Sequence, residues 1–243
     1  MNACAVRAAR TAIALAVCAG GLFGLYEVVE RPQSQALGPT LVRGHAHVVA
    51  LTFDDGPNPY VTPGVLDLLE RQRVRGTFFV VGRAARAHPD LLRRMAADGD
   101  EIGNHTDTHA HLNALLTRRA IDAELDGARA AIVSATGREP RYLRPPFGAR
   151  NGPAIAEARR RGYTVVMWTA MLEDEPSSLP PPALAQRLLA KVRDGAIIVL
   201  HDGDRGRDTR GGRTYEARAL APVIAALKAR GYRFVTISEL ARS

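Results

Sequence analysis

The sequence predicts an α/β protein in the form of a distorted (β/α) barrel, TIM-barrel-like, with seven parallel strands. From about Ala46 onward, apolar runs of strand length alternate with amphipathic stretches of helix length. Glycines follow the helical stretches, where helices usually end. Seven strands alternating with six helical stretches in a chain of 243 residues favour one large domain around a parallel sheet that closes or nearly closes.

The predicted elements follow one another in strict alternation. The predicted strands are 48–53, 76–81, 101–104, 141–145, 164–169, 196–200 and 233–237. Helical periodicity covers 63–73, 89–98, 118–135, 152–161, 182–193 and 215–230. Thr62 before Pro63 is typical of a helix N-cap followed by a proline in the first turn.

The first thirty residues differ in character from the rest of the chain. Arg7 and Arg10 precede an apolar run over 11–26, and this order is typical of export segments. The run of 16 residues is long for a signal-peptide core and short for a membrane span, so a cleaved signal and an uncleaved anchor both stay open. We predict an exported protein (secreted, periplasmic or on the outer face of the cytoplasmic membrane) that comprises a signal peptide or membrane anchor over 1–30, a linker over 31–45 and a folded domain over 46–243.

The composition limits the classes of partner. The net charge is +8, from 33 basic and 25 acidic residues, and the arginines are scattered without a polybasic block. This distribution predicts a basic surface and no nucleic-acid partner. Both cysteines, Cys4 and Cys18, lie in the N-terminal region, so the folded domain has no disulfide and no thiol chemistry. The oligomeric state stays open.

Polar side chains follow the predicted strands at the point where each strand ends. Because barrels of this type build their active sites at the carboxyl ends of the strands, we expect these side chains to form one site. They are Asp54 and Asp55 after the first strand, His105 and His109 after the third, Arg144 at the end of the fourth, Trp168 and Asp174 after the fifth, and His201 at the end of the sixth.

The spacing His105-x-x-x-His109 places two imidazoles one helical turn apart, where both can bind one metal ion. Two histidines and one carboxylate leave coordination positions open, which is typical of catalytic metal sites. Such a metal lowers the pKa of bound water to about 7 and polarises a carbonyl. One member of the Asp54–Asp55 pair can then bind the cation while the other accepts a proton, and the cation offsets their repulsion.

Four further side chains have both a structural and a functional interpretation. Arg144 is either a structural ion-pair partner or a fork that holds the base carboxylate. His201 is either a hydrogen-bonded core histidine or a general acid, and its strand-end position favours the acid. Val199 points to the same side of its strand as His201 and would line an apolar pocket. Trp168, the only tryptophan, is either a core-packing residue, which is the favoured interpretation, or a substrate-binding residue.

Four short motifs occur in series along the chain. TFDDGP, HTDTH, RPPFG and LHDG, in this order and spacing, resemble the motifs of polysaccharide deacetylases with the NodB homology domain, carbohydrate esterase family four. The resemblance runs from about Val48 to Leu240. It implies a distorted barrel, usually of seven strands, in agreement with the strand count. It also implies removal of N-acetyl or O-acetyl groups from chitin-like chains, peptidoglycan or xylan, with zinc, cobalt or another divalent metal.

The resemblance also implies a role for individual residues. Its counterparts in this chain are Asp54 for the base, Asp55, His105 and His109 for the metal ligands, Arg144 for the arginine that orients the base, Asp174 for the aspartate that tethers this arginine, and His201 for the general acid. The main-chain N–H of Phe147, where the family often has tyrosine, would help the metal to hold the oxyanion.

Two positions depart from the family pattern, and both concern the substrate. Glu175 stands where the family usually has a tryptophan on the groove wall, and Val199 replaces a leucine. An aromatic wall offers a flat apolar face to a pyranose ring, and a glutamate does not, so we expect weaker binding of long neutral chitin chains. The predicted substrate-binding residues are Phe147, Trp168, Val199 and Glu175.

The sequence therefore predicts a metal-dependent deacetylase that releases acetate from an N-acetylated, or O-acetylated, polysaccharide such as peptidoglycan or chitin oligosaccharides. One alternative is a metal-dependent amidase on a peptide or small amide, with a deep closed pocket. The other is a wall-binding module without turnover, which would not need the full set of aspartates and histidines. The polymer and the native metal stay open.

Overall fold

The computed structural model describes residues 31–115, 117–172, 178–210 and 212–243. Within these ranges, eight strands form one sheet in which every pairing is parallel. They are β1 (Val48–Asp54), β2 (Thr77–Val80), β3 (Glu101–Asn104), β4 (Tyr142–Leu143), β5 (Thr164–Val165), β6 (Ala170–Met171), β7 (Ala196–His201) and β8 (Arg233–Phe234). The predicted parallel α/β fold is confirmed.

Strand β1 lies at the centre of the sheet. The spatial order is β5, β4, β3, β2, β1, β7, β6, and β8 pairs with Val48 and Val49 of β1. All seven residues of β1 are buried, because the interior of the barrel covers one face and the helices cover the other. Burial on both faces explains why this strand is a continuous apolar run without polar alternation.

The predicted strand over 164–169 covers β5 and the irregular stretch after it, and β6 begins just beyond its end. In this stretch the N–H of Met167 donates to Leu41 O at 2.8 Å, so the segment before β1 takes the place of a neighbouring strand. The N–H of Thr169 then donates to Ile197 O at 3.1 Å. The segment over 164–171 thus pairs with β4 at its start and with β7 at its end. If β5 and β6 are counted as one strand, the eight strands of the sheet become the seven that the sequence predicts.

The described residues also form eight α-helices. They are α1 (Thr62–Gln72), α2 (Gly82–Ala87), α3 (Pro89–Asp98), α4 (Arg118–Thr136), α5 (Gly152–Arg160), α6 (Pro181–Lys191), α7 (Leu220–Ala229) and α8 (Ile237–Leu240). Three short 3₁₀ segments cover Leu112–Ala114, Pro146–Gly148 and Gly212–Ala219. The last of these and α7 replace the single helix predicted over 215–230. The short helices α2 and α8 are additional to the prediction.

The predicted cap of α1 is wrong. Val61 occupies the N-cap position, and no side chain caps the helix there. The Thr62 hydroxyl accepts the N–H of Asn58 at 2.8 Å and donates to Asp202 Oδ2 at 2.6 Å. The Thr62 hydroxyl therefore binds the buried carboxylate of Asp202 and does not cap the helix backbone. Only the tertiary fold brings this carboxylate close to Thr62.

The segment before β1, predicted as a linker, contacts the barrel. Arg150 is buried, and its guanidinium donates to Arg31 O at 2.7 Å and to Ser34 O at 2.9 Å. Further along, the N–H of Leu41 donates to the main chain of β5 at 2.8 Å. These contacts hold residues 31–41 on the domain, and the domain division itself stays a prediction.

Among the described residues, no helix is long and apolar enough to cross a membrane. The predicted export segment over 11–26 lies outside the described residues.

Candidate active site

Asp54 and Asp55 stand where β1 ends. Asp54 is the last residue of β1 and pairs in register with His201 at the end of β7. Asp55 turns the chain at once, because its φ of 74° is in the left-handed region. The two carboxylates therefore leave the strand in different directions, although they are neighbours in the sequence. Both are buried.

Asp55 lies against both predicted metal histidines. Its Oδ1 is 3.3 Å from His105 Nε2 and 2.8 Å from His109 Nε2. One potential ligand atom from each of the three residues falls within 4.8 Å of the others. The segment that carries the histidines is a loop and not the predicted helical turn, because Thr106 and His109 have φ values of 67° and 64°. The histidines still converge, but through a folded loop.

The electrostatics of this cluster favour the charged aspartate. Burial raises the pKa of Asp55, but the hydrogen bonds from His105 and His109, together with the charges of His201 and His105, hold the pKa well below its usual range. Burial lowers the pKa of His109, against the hydrogen bond to Asp55. A neutral imidazole beside an ionised carboxylate is the state that a divalent cation requires of its ligands.

The tautomer of His105 suits metal binding. Its Nδ1 lies 2.7 Å from the carbonyl oxygen of Arg144, which can only accept a hydrogen bond. In the neutral ring the proton is therefore on Nδ1 and the lone pair of Nε2 is directed to the cluster, so that Nε2 donates to Asp55 only when the ring is protonated. Metal-binding histidines are commonly oriented in this way. Together, the donor set and this orientation fit a divalent cation.

Arg144 is completely buried and holds the other aspartate. Its Nη1 donates to Asp54 Oδ1 and to Thr52 Oγ1, both at 2.7 Å, and Nη2 donates to Met167 O at 3.3 Å. The guanidinium also lies 4.2 Å from the ring centroid of Phe79. Burial lowers the pKa of Arg144, and Asp54 opposes this. The buried pair orients Asp54 and leaves its second oxygen, Oδ2, to other partners.

His201 is buried and held by a residue that the sequence interpretation missed. Its Nδ1 lies 2.8 Å from Oε2 of Glu216, a completely buried carboxylate in the 3₁₀ segment after β7. Burial lowers the pKa of His201, but the hydrogen bond and charge of Glu216 and the charges of Asp55 and Asp54 raise it above its ordinary value. No local sequence signal identified Glu216 as a partner of His201, because one glutamate in a helical stretch of Arg and Ala is usually exposed.

These side chains surround one open pocket of about 230 Å³. Its lining comprises the two aspartates, His105, His109 and His201, together with Pro145, Phe147, Gly148, Trp168, Met171 and Arg205. Of the predicted substrate-binding residues, Phe147 is 49% exposed and Trp168 is half-buried. Val199 is fully buried and is not among these lining residues, and its β6 partner Met171 provides an apolar wall instead.

Two predicted residues, Asp174 and Glu175, lie outside the described residues. Arg144 Nε has no hydrogen-bond partner within the described ranges. The predicted tether between Asp174 and Arg144 therefore stays a prediction, as does the predicted place of Glu175 on the groove wall.

Comparisons with known proteins identify the family of this chain. A family model described as "Polysaccharide deacetylase" matches residues 42–166. A chitooligosaccharide deacetylase of Bradyrhizobium sp. is 36% identical over 200 residues, which cover 79% of this chain and 90% of that protein. A peptidoglycan-N-acetylglucosamine deacetylase of Bacillus cereus is 35% identical over 204 residues, with 83% and 91% covered.

The fold is similar to solved structures as well. A crystal structure of the peptidoglycan N-acetylglucosamine deacetylase Bc1960, in complex with 4-naphthalen-1-yl-N-oxidanyl-benzamide, superposes with a TM-score of 0.76 at 28% identity. The superposition covers 83% of this chain and 92% of that chain. The family match, the relatives and the shared fold lead to one conclusion: this chain belongs to the polysaccharide deacetylase family, and it is a hydrolase of that class.

Proposed function

We propose that this protein hydrolyses the N-acetyl groups of an acetylated polysaccharide, either peptidoglycan or chitin oligosaccharides, and releases acetate. The observation that carries the proposal is the convergence of both aspartates, both histidines and His201 on one open pocket. The names of the relatives, chitooligosaccharide deacetylase and peptidoglycan-N-acetylglucosamine deacetylase, support these two classes of substrate.

Asp55, His105 and His109 would hold a divalent cation. Zinc is the proposed ion, because it binds imidazole and carboxylate ligands and keeps an open position in catalytic sites. Cobalt or another divalent ion is the alternative. When bound, the ion polarises the substrate carbonyl and lowers the pKa of water to about 7.

Asp54 serves as the general base. Arg144 engages Asp54 Oδ1 at 2.7 Å, so Oδ2 is the oxygen that accepts the proton. A fixed carboxylate at hydrogen-bond distance from the attacking water is the geometry that general-base catalysis requires. Asp174 is proposed to tether Arg144, and the unpartnered Nε within the described ranges would be its donor.

His201 serves as the general acid for the leaving amine. Glu216 occupies Nδ1 at 2.8 Å, so Nε2 is the nitrogen that delivers the proton. The raised pKa of His201 favours the protonated form that an acid needs. The main-chain N–H of Phe147, at the pocket wall, is proposed to hold the developing oxyanion.

Acetate release tests the proposal. We expect the metal-loaded protein to release acetate from acetylated chitin oligomers or peptidoglycan, and the Asp54→Asn variant to release far less. Hydrolysis of peptide amides with no acetate from any glycan would indicate the amidase instead. Glycan binding without turnover would indicate a wall-binding module.

We also propose that residues 1–30 direct export, as a cleaved signal or an anchor through 11–26, so that the domain lies outside the cytoplasmic membrane. The names of the relatives support an extracytoplasmic substrate. Protease added to cells with a permeabilised outer envelope should digest the domain. Protection until the cytoplasmic membrane is broken would contradict export.

A further inference from the structure

The pocket contains one cation that the proposed reaction does not use. Arg205 lines the pocket beside the catalytic residues. Its guanidinium carbon lies 5.4 Å from the ring centroid of Phe147, and that ring lies 4.8 Å from the ring of His109. The Phe147 ring thus lies between the guanidinium and His109, one of the proposed metal ligands. A sugar whose acetyl group is at the metal site would therefore be within reach of Arg205.

Arg205 has no acidic partner within the described parts of the chain. Other arginines nearby do: Arg207 pairs with Asp204 at 3.1 Å, and Arg86 pairs with Asp107 at 2.5 Å. A guanidinium that lines a pocket and has no acidic partner among the described residues can bind a ligand carboxylate through two parallel hydrogen bonds. A neutral acetylated sugar offers no group that requires this fork.

The backbone of Arg205 is held in place. Its φ of 51° is in the left-handed region, which bulky residues rarely adopt and which persists where the surroundings impose it. The surroundings here are two hydrogen bonds. The Arg83 guanidinium donates to Arg205 O, and the N–H of Gly206 donates to Asp55 O at 2.9 Å. The same turn thus joins the arginine to the metal-binding aspartate.

We propose that Arg205 binds a carboxylate carried by the glycan, on the reacting sugar or its neighbour, and so makes the enzyme select acidic over neutral N-acetylated glycans. The inference rests on the proposed deacetylase function. Charge-assisted hydrogen bonds of this kind correspond to a preference of about 10- to 100-fold in kcat/KM.

Matched glycans isolate the carboxylate. Peptide-free glycan strands carry a free lactyl carboxylate on each muramic acid, and carboxyl reduction converts it to an alcohol with no other change. The wild-type protein should prefer the acidic strand over its reduced form by about 10-fold or more. An oligosaccharide of N-acetylglucosamine and glucuronic acid tells whether a uronic carboxylate is selected in the same way.

Variants assign the preference to one side chain. Arg205→Ala should bring the ratio of kcat/KM for acidic over reduced strands to about 1, mainly through KM, and Arg205→Lys should keep part of it. Arg210→Ala is the matched control, because Arg210 lies 4.4 Å from the ring centroid of Tyr60 and does not line the pocket. Its ratio should equal that of the wild-type protein.

A binding measurement provides a readout without turnover. In an Asp54→Asn background, the acidic strand should bind more tightly than the reduced strand, and added salt should weaken this difference. Equal ratios in the wild-type protein and the Arg205→Ala variant would overturn the proposal, as would an equal fall of kcat on both glycans. Absence of acetate release from every glycan would contradict the deacetylase function itself.

Discussion

Two buried aspartates stand at opposite ends of the barrel. Asp55 follows β1 at the carboxyl end, and Asp100 precedes β3 at the amino end; each is 6% exposed. Asp55 lies against two imidazoles at 2.8 and 3.3 Å. Asp100 accepts the N–H of Gly76 at 2.7 Å. Burial raises the pKa of Asp100 to about 6, against that hydrogen bond, whereas the pKa of Asp55 is well below its usual range.

Because the two aspartates are equally buried, the opposite directions of their pKa shifts come from their neighbouring groups. At the carboxyl end, several groups that donate hydrogen bonds or carry positive charge outweigh desolvation. At the amino end, the amide of Gly76 and the charges of Arg75 and Arg94 do not outweigh desolvation, so the pKa of Asp100 stays raised. The carboxyl end of the barrel therefore favours a charged aspartate beside the predicted metal histidines, whereas burial at the amino end disfavours the charged form of Asp100.

The largest effect should come from the groups that surround Asp55. His105→Ala or His109→Ala should abolish metal retention and turnover and leave the fold largely intact, because two ligands do not hold the ion. Metal analysis and acetate release measure this. His47→Ala is the matched control, since His47 also pairs with an aspartate at 2.8 Å, but on the surface. Full activity after exhaustive chelation would contradict the site.

The next effect separates the adjacent aspartates. Asp54→Asn keeps the shape but removes the base, so turnover should fall by about 10²–10⁴-fold with the metal retained. Asp55→Asn should lose the metal. Metal content measured beside kcat distinguishes the two variants, and the reverse result would mean that the roles are exchanged.

A smaller effect is expected at Glu216. Its carboxylate keeps the pKa of His201 raised, and a general acid is active below its pKa, so activity is lost as pH rises through that value. Glu216→Gln should therefore move the alkaline limb of the kcat/KM profile to lower pH. It should also reduce kcat by about 10-fold, less than the loss of a general acid itself. An unmoved limb would show that Glu216 does not act through His201.

The smallest effect concerns stability at the amino end. The folded pKa of Asp100, about 6, lies above its unfolded value, so its contribution is present below about pH 4 and is lost as pH rises through 6. Asp100→Asn removes this loss and should raise the melting temperature more at pH 8 than at pH 4. The gain is on the order of 1–3 kcal/mol. Asp90→Asn, in the first turn of α3, is the control. An equal change at both pH values would contradict the shift.

Much of the fold and most of the described site follow from local patterns. Apolar runs and glycine stops predict the order of strands and helices, because backbone periodicity and helix termination are local properties. The clustering of Asp54, His105, Arg144 and His201 follows from topology, because parallel strands bring their carboxyl ends to one rim. The order of the four motifs TFDDGP, HTDTH, RPPFG and LHDG indicates the deacetylase chemistry.

Contacts between segments far apart in the chain depend on the tertiary fold. Glu216 reaches His201, and Arg205 reaches the pocket, only because the chain after β7 folds back over the end of β1. The Thr62 hydroxyl binds Asp202, and does not cap its helix, for a similar reason. Hydrophobic periodicity does not predict which loop residue will contact a given side chain. The conformation of a loop depends on the groups that the folded barrel places beside it.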